Sequence, residues 1–213
     1  MANRLALARD VLKQAEVRTG VRSVPTYEHD ESAYLVPAYL SEVFPYGIAR
    51  GSVIEVSGSL AICMLLAGVI AQHGGWVAHV GIPEWSWDVA HASGIREEKC
   101  VAITDAQHEL MAVLSSLIDG YAVVIVPSSL VPAKYQRTLE RKARTRGCVL
   151  VSWGSWQASA RSIRASIHEI RGRVLHQSPQ LTEIGPISSI NYKITSHTGS
   201  SYVNFSGEGW LQA

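Results

Sequence analysis

The stretch VIEVSGSLAICMLLAGVIAQHGG, residues 53–75, decides the fold. Its first residues are rich in β-branched side chains and predict a strand, and Gly58 marks the turn that follows. The apolar run after the turn predicts a helix that ends at Gly74-Gly75. A strand, a glycine turn and a helix in this order form the frame of a nucleotide-binding unit. The groups that hold phosphate in such a unit are missing, as the residues below show.

The alternation of strands and helices continues beyond this unit. Further strands are predicted at 76–81, 100–103, 121–126 and 148–152, and further helices at 85–93, 105–119 and 133–146. The segment 121–126 is almost wholly apolar, which is typical of a strand buried on both faces of a parallel sheet. Strands that alternate with helices predict an α/β domain with a mostly parallel sheet flanked by helices.

The two ends of the chain differ from this α/β pattern. An apolar stripe formed by Leu5, Ala8, Leu12 and Ala15 predicts an amphipathic helix over 3–18, and a polar linker follows it. The helix docks either on a neighbouring subunit or on the core of its own chain. We therefore expect an N-terminal helix and linker at 1–34 and a core domain at 35–213.

After residue 160 the segments 162–170, 187–195 and 202–205 resemble antiparallel strands, so 160–213 is expected to form a C-terminal edge of the sheet. In 162–170 the alternation predicts Ile163, Ala165, Ile167 and Glu169 on one face and Arg164, Ser166, His168 and Ile170 on the other.

A comparison with the P-loop pattern G-x-x-x-x-G-K-[ST] shows what the first unit lacks. The eight residues from Gly58 read GSLAICML, so Cys63, Met64 and Leu65 stand where the pattern has Gly, Lys and Ser or Thr. A nucleotide-binding unit also needs an acidic residue at the end of a buried strand to organise magnesium. The predicted buried strand 121–126 is followed by Pro127 instead. These replacements predict that the region is packed as core, that no nucleotide cofactor is bound and that the chain is not an ATPase. Alternatively, GSLAICML is an ordinary strand–helix turn with no link to a P-loop.

Several segments, taken in order, resemble the RecA recombinase core. YGIARGSVIEVSGS at 46–59 is similar to the glycine-rich opening of that family, with Gly47, Gly51, Glu55 and Gly58 in matching places. AVVIVPSS resembles the Walker B strand, GCVLVSWGSW the strand that ends in a nucleotide-sensing residue, and the segments after 160 the closing antiparallel strands. The resemblance implies a RecA-like core and an N-terminal helix that can join copies into a homo-oligomer.

The fragments between residues 40 and 156 resemble more closely the ImuA-prime family of actinobacterial RecA-like mutasome accessory proteins. LSEVFPYGIARGSVIEVSGS, WVAHVGIPEWSWDVAHASGI and ARTRGCVLVSWGSW carry this resemblance. It implies a non-catalytic role in damage-induced mutagenesis and translesion synthesis, with an error-prone polymerase or a Y-family-like adaptor as partner. Two alternatives are a SulA-like cell-division inhibitor that binds the division GTPase and an ATPase that borrows catalytic groups from a partner.

Four tryptophans are predicted near the ends of the parallel strands. They are Trp85, Trp87, Trp153 and Trp156. Ligands of open parallel sheets bind at that edge, and tryptophan contributes strongly at protein interfaces. The rings therefore form either a partner surface or a plug in the vacated nucleotide site.

A basic stripe is predicted on the helix at 133–146. Lys134, Arg137, Arg141 and Arg144 fall on one helical face. The pattern is more typical of a solvated surface helix, and the alternative is a face that contacts DNA phosphates. Arg161, Arg164, Arg171 and Arg173 form a second basic zone, and DNA contact gains support if both zones share one side.

The composition excludes several other classes of protein. The net charge of +1 means that any nucleic-acid surface must be local. Cys63, Cys100 and Cys148 lie in apolar runs and are expected to be core thiols of a reducing compartment. No metal-ligand spacing and no nucleophile motif is found, and the longest apolar run, 60–71, is too short to cross a bilayer. A cytoplasmic protein is expected.

Overall fold

The computed structural model describes residues 32–106, 109–157, 161–177 and 182–213. The chain divides into two compact units, residues 1–30 and 31–213, and every described residue belongs to the second. The helix predicted over 3–18 and most of the predicted linker lie outside the described residues. The end of that linker, Ala33–Tyr34, is a short strand, β1, that pairs antiparallel with β2, Ile48–Ala49.

The remaining elements follow in chain order. They are β3 (Val53–Ser57), α1 (Leu60–Ala71), β4 (Val77–Val80), α2 (Trp87–Ala92), β5 (Cys100–Ile103), α3 (Leu110–Gly120), β6 (Val123–Pro127), α4 (Ala133–Arg146), β7 (Val149–Trp153), β8 (Arg161–Gln177), β9 (Thr182–Thr195), β10 (Ser200–Ser206) and β11 (Gly209–Gln212).

One large sheet organises the described part of the chain. Its nine strands lie in the order β11-β10-β9-β8-β3-β7-β6-β4-β5. The strands from β3 to β7 are parallel to their neighbours, β8 joins β3 in parallel, and β9, β10 and β11 continue antiparallel. The predicted α/β architecture, with a mostly parallel sheet flanked by helices and antiparallel strands at the C-terminal edge, is confirmed.

Helices cover both faces of the parallel half of the sheet. Helices α1 and α2 pack on one face, which we call the α1 side, and α3 and α4 pack on the other, which we call the α4 side. Every residue of α1 from Ile62 to Ile70 is buried, as expected for an apolar helix enclosed by protein on all sides. A Cβ atom on Gly68 would lie 1.9 Å from the carbonyl oxygen of Ser93, so this glycine lets α1 approach the end of α2.

Two helices begin later than the sequence predicts. Helix α2 starts at Trp87, because the Ser86 hydroxyl accepts a hydrogen bond from the Val89 amide (3.4 Å) and caps the helix there. Helix α3 starts at Leu110, so Asp105 does not cap it, and the N-cap residue Glu109 makes no side-chain cap bond.

The antiparallel edge is longer than predicted and contains a bulge. The pairing of β8 with β9 shifts between Ile167 and Glu169. Because a bulge inserts one residue, the predicted alternation is correct only through Ile167, and Glu169 lies on the face of Arg164 and Ser166. Strand β11 is absent from the predicted elements. Among the described residues, no helix combines the length and the apolar character needed to cross a membrane.

Candidate functional site

The P-loop position is filled by apolar side chains. Cys63, Met64 and Leu65 lie in the second turn of α1 and are only 0%, 1% and 1% exposed. Burial raises the pKa of the Cys63 thiol to about 12, so the thiol is neutral near pH 7 and packs like an apolar group. The prediction that this segment forms core is confirmed, and no side chain at these three positions can contact a phosphate.

The turn before α1 lies directly against the antiparallel edge. Gly58 has φ +92°, and a Cβ atom there would lie 2.0 Å from the carbonyl oxygen of Ala165 in β8. The neighbouring Ser59 hydrogen-bonds Tyr192 of β9; burial raises the pKa of Tyr192 and this bond opposes the shift. The turn that would surround a phosphate is therefore packed against β8 and β9.

The end of β6 offers no carboxylate for a metal ion. Pro127 is buried there and pairs with Trp153 of β7, and the short helical turn Ser128–Leu130 follows it. Among the described residues, no group of three or more His, Cys, Asp or Glu side chains could hold a metal ion.

Glu55 is an acidic residue near this edge, and it acts as a structural link. Its two carboxylate oxygens accept hydrogen bonds from the Trp156 amide (3.0 Å) and from the Ser162 hydroxyl (3.1 Å). The carboxylate of β3 therefore joins the segment after β7 to the start of β8. The sequence pattern singles out Glu55 but does not show this linking role.

The four predicted tryptophans do not form one surface. Trp85 and Trp153 pack against the core of the α1 side, whereas Trp156 is 2% exposed and packs into the core of the α4 side. Trp87, at 36% exposed, contacts Trp85 edge to face. Trp85 and Trp87 therefore meet, and Trp153 and Trp156 point to opposite sides of the sheet.

His79 is a buried titratable group beside these rings. Its ring stacks on Trp85 with centroids 4.0 Å apart and an interplanar angle of 5°. Neither ring nitrogen has a hydrogen-bond partner among the described residues, and His79 is 2% exposed. Burial lowers the pKa of His79 to about 4, so the imidazole is neutral near pH 7.

The predicted basic stripe lies on the exposed face of α4. Lys134, Arg137, Arg141 and Arg144 are all exposed, and of these Arg144 forms an ion pair with Glu140 (3.4 Å). The basic side chains on the flank of α4 that faces α3 form ion pairs. Lys142 and Arg146 contact the two carboxylate oxygens of Asp119 at 2.7 and 2.8 Å, and the Lys142 hydrogen bond is the main cause that lowers the pKa of Asp119.

An exposed apolar surface was missed by the sequence interpretation. Ile167, Ile170 and Ile187 on β8 and β9, which we call the isoleucine patch, are 55%, 52% and 61% exposed. A groove of about 660 Å³ adjoins the patch, and its lining includes Asp88 and His91 of α2, residues 187–190, and residues 205–208. The run of isoleucines in an alternating segment was the available signal, but the bulge that places Ile170 on the same face as Ile167 is not visible in the sequence.

The comparison with protein families covers the part of the chain that builds the filled P-loop position. Residues 42–158 match the model of the MT3502 N-terminal domain, which is more than half of the 213 residues. The chain belongs to the MT3502 N-terminal domain family. The family match ends before β8, so the isoleucine patch lies outside it. No curated protein is similar enough to count as a match.

Proposed function

We propose that this chain is a non-catalytic RecA-like accessory protein of damage-induced mutagenesis and translesion DNA synthesis. It acts through protein–protein contacts with an error-prone polymerase or its adaptor. The observation that carries the non-catalytic part is the burial of Cys63, Met64 and Leu65 at the P-loop position. The mutagenesis role rests on the resemblance of the segments between residues 40 and 156 to the ImuA-prime family.

The chemistry of phosphoryl transfer supports this proposal. Such a reaction needs backbone amides and a lysine around the phosphates and a metal ion beside them. Here Met64 takes the place of the lysine, Pro127 takes the place of the acid, and the turn at Gly58 packs against Ala165. A frame of this kind contributes shape and surface to an assembly without a nucleotide cycle.

The isoleucine patch is the surface that we assign to the protein partner. Monomeric proteins rarely leave neighbouring large apolar side chains exposed, and such patches commonly mark interaction sites. Ile170 pairs with Ile190 across β8 and β9, and Ile187 lines the adjoining groove together with Asp88 and Glu208. An apolar centre with acidic groups at its edge fits a partner segment that is apolar with basic flanks.

An affinity experiment tests the proposal directly. The tagged chain is recovered from DNA-damaged host cells, and the captured proteins are identified by mass spectrometry. The chain with Ile170→Ser and Ile187→Ser is compared with the chain carrying Leu35→Ser, which removes an apolar side chain that is 63% exposed outside the patch. A third sample carries Trp87→Ala, because Trp87 belongs to the surface predicted from the sequence.

We expect the native chain and the Leu35→Ser variant to recover an error-prone polymerase or its adaptor, and the isoleucine variant to lose it. If the Trp87→Ala sample loses the polymerase or adaptor instead, the partner contacts the pair formed by Trp85 and Trp87. Recovery of the division GTPase, accompanied by filamentation on overexpression, would replace the proposal by the SulA-like alternative. Nucleotide hydrolysis that arises on mixing with the captured protein would contradict the non-catalytic role.

A further inference from the structure

The open face of the antiparallel edge lies on the same side of the sheet as the basic stripe of α4. Glu55 of β3 bonds to the segment that carries Trp156, whose ring packs on the α4 side, and its register partner in β8 is Ser162. Side chains two residues apart on a strand share a face, so Ser57 and its partner Arg164 lie on that side too. The pairing continues this face across β9 and β10.

Polar residues fill the rows of this open face. Ser166 pairs with Lys193, which pairs with Tyr202, and Arg171 pairs with Ser189, which pairs with Ser206. Between these rows Asn191 accepts a hydrogen bond from Asn204 and donates one to Glu169 (2.9 Å). The face has no helix over it in the described part of the chain, whereas the opposite face of the same strands contributes Tyr192, Ile194 and Val203 to the core.

Part of the basic stripe of α4 lies on the flank of the helix that faces this side. Lys142 and Arg146 occupy the flank beside α3, and Leu139 faces the sheet. Helical spacing therefore places Arg137 and Arg144 on the opposite flank, toward β3 and β8. The close approach of the Arg144 backbone to Gly51, just before β3, agrees with this orientation.

The positive charge of this combined surface is mostly uncompensated. Among the described residues, Arg137, Arg141, Arg164 and Lys193 form no ion pair with a carboxylate, whereas Arg171 pairs with Glu169 (3.0 Å). The net charge of the whole chain is only +1, so these cations are a local feature of one side of the sheet.

An aromatic pair lies within the same surface. Tyr202 is 38% exposed, its ring contacts His168 with centroids 5.0 Å apart, and the Lys193 ammonium lies 5.7 Å from its ring centroid. Proteins that bind single-stranded nucleic acid commonly combine basic side chains with exposed aromatic rings on an open sheet face. The cations track the phosphates and the ring stacks on a base.

We propose that this surface, formed by the basic stripe of α4 and the open face of β8, β9 and β10, binds single-stranded DNA. The inference goes beyond the proposed function, because it stands on charge and geometry whether or not the chain binds a polymerase. It also differs from the mode of the recombinase that the sequence resembles. That mode uses loops, whereas here the contact is made by a sheet face and a helix.

The test is fluorescence anisotropy with a labelled oligothymidylate and the full chain, over a series of salt concentrations. One variant carries Arg164→Ala and Lys193→Ala, and a second carries Arg137→Ala and Arg141→Ala. The matched control carries Arg96→Ala and Lys99→Ala, which removes the same charge beside β5, at the other end of the sheet. Circular dichroism and thermal unfolding verify that each variant is folded.

We expect the native chain to bind with an affinity that falls as salt rises. Each of the two test variants should bind about 25-fold more weakly at 0.1 M salt, because two lost phosphate contacts reduce the salt slope by about 1.4. The control variant should bind like the native chain. Tyr202→Ala should weaken binding roughly tenfold through lost stacking, and Tyr202→Phe should not.

Three results would overturn the inference. The first is an absence of binding by the native chain even at low salt. The second is an equal loss of affinity in the control and the test variants, which would indicate attraction to overall charge. The third is tighter binding to a duplex than to a single strand of the same length, together with an unchanged affinity in the Tyr202→Ala variant.

Discussion

A lysine restored at position 64 should destabilise the fold without creating nucleotide binding. Met64 is 1% exposed in a helix that is buried from Ile62 to Ile70, and no Asp or Glu is among the buried side chains of the described residues. An ammonium group placed there loses its hydration and gains no partner, so its pKa must fall well below its usual value near 10.4.

The size of the effect follows from that shift. Fully buried lysines have pKa values lowered by about 3 to 5 units, and each unit corresponds to about 1.36 kcal/mol. The Met64→Lys variant should therefore lose roughly 4 to 5 kcal/mol of unfolding free energy at pH 7, because a lysine that is neutral in the fold costs at most the gap between pH 7 and its unfolded pKa near 10.4. This loss is a large part of the stability of a typical domain. Met64→Leu conserves volume and charge and should cost less than about 1.5 kcal/mol.

Urea unfolding at several pH values measures both quantities. In the lysine variant the folded state holds the neutral amine and the unfolded state binds the proton, so stability should rise with pH up to the unfolded pKa near 10.4. The difference between Met64→Lys and Met64→Leu should shrink over that range. Equal midpoints for the two variants at pH 7, together with saturable ATP binding by the lysine variant, would refute the conclusion that this position is sealed core.

Three further predictions concern residues around the same edge. Gly58→Ala should destabilise the chain by at least about 3 kcal/mol in urea unfolding, because its Cβ would meet the Ala165 carbonyl at 2.0 Å; Gly74→Ala, also at positive φ but with nothing within 4 Å, should cost only about 1 to 2 kcal/mol. His79 has a pKa of about 4 in the fold and 6.5 when unfolded, so the unfolded state binds the proton first and the chain should lose about 3 kcal/mol of unfolding free energy as pH falls from 6.5 to 4. His79→Leu should abolish this loss, and an unchanged pH profile in that variant would contradict the assignment. Glu55→Gln should lower the free energy of unfolding by about 1 to 2 kcal/mol and speed hydrogen exchange of the Trp156 backbone amide, since the glutamine side chain keeps only one of the two acceptor oxygens. Unaltered exchange would show that the link is not needed.

Much of the fold follows from patterns that act over a few residues. The apolar strands, the glycine turn at Gly58 and the unbroken apolar run of α1 all report local backbone preference and burial. The burial of Cys63, Met64 and Leu65 was predictable for the same reason, since three apolar side chains cannot replace the groups that hold phosphate.

The features that were missed depend on contacts between distant segments. The bulge after Ile167 exists because β8 pairs with β9, and it decides that Ile170 and Glu169 exchange the faces that simple alternation assigns. The hydrogen bond that the Ser162 hydroxyl donates to Glu55 joins residues 107 positions apart, which no local pattern records. Trp153 and Trp156 are close in sequence, yet they pack on opposite sides of the sheet because one ends β7 and the other follows it.

The central proposal is that the strand–turn–helix unit around Gly58 binds no nucleotide. Calorimetric titration of the full chain with ATP and magnesium tests it most directly, because the buried side chains at the P-loop position leave no group to bind the phosphates. We expect no saturable heat of binding. A saturable isotherm would contradict the proposal.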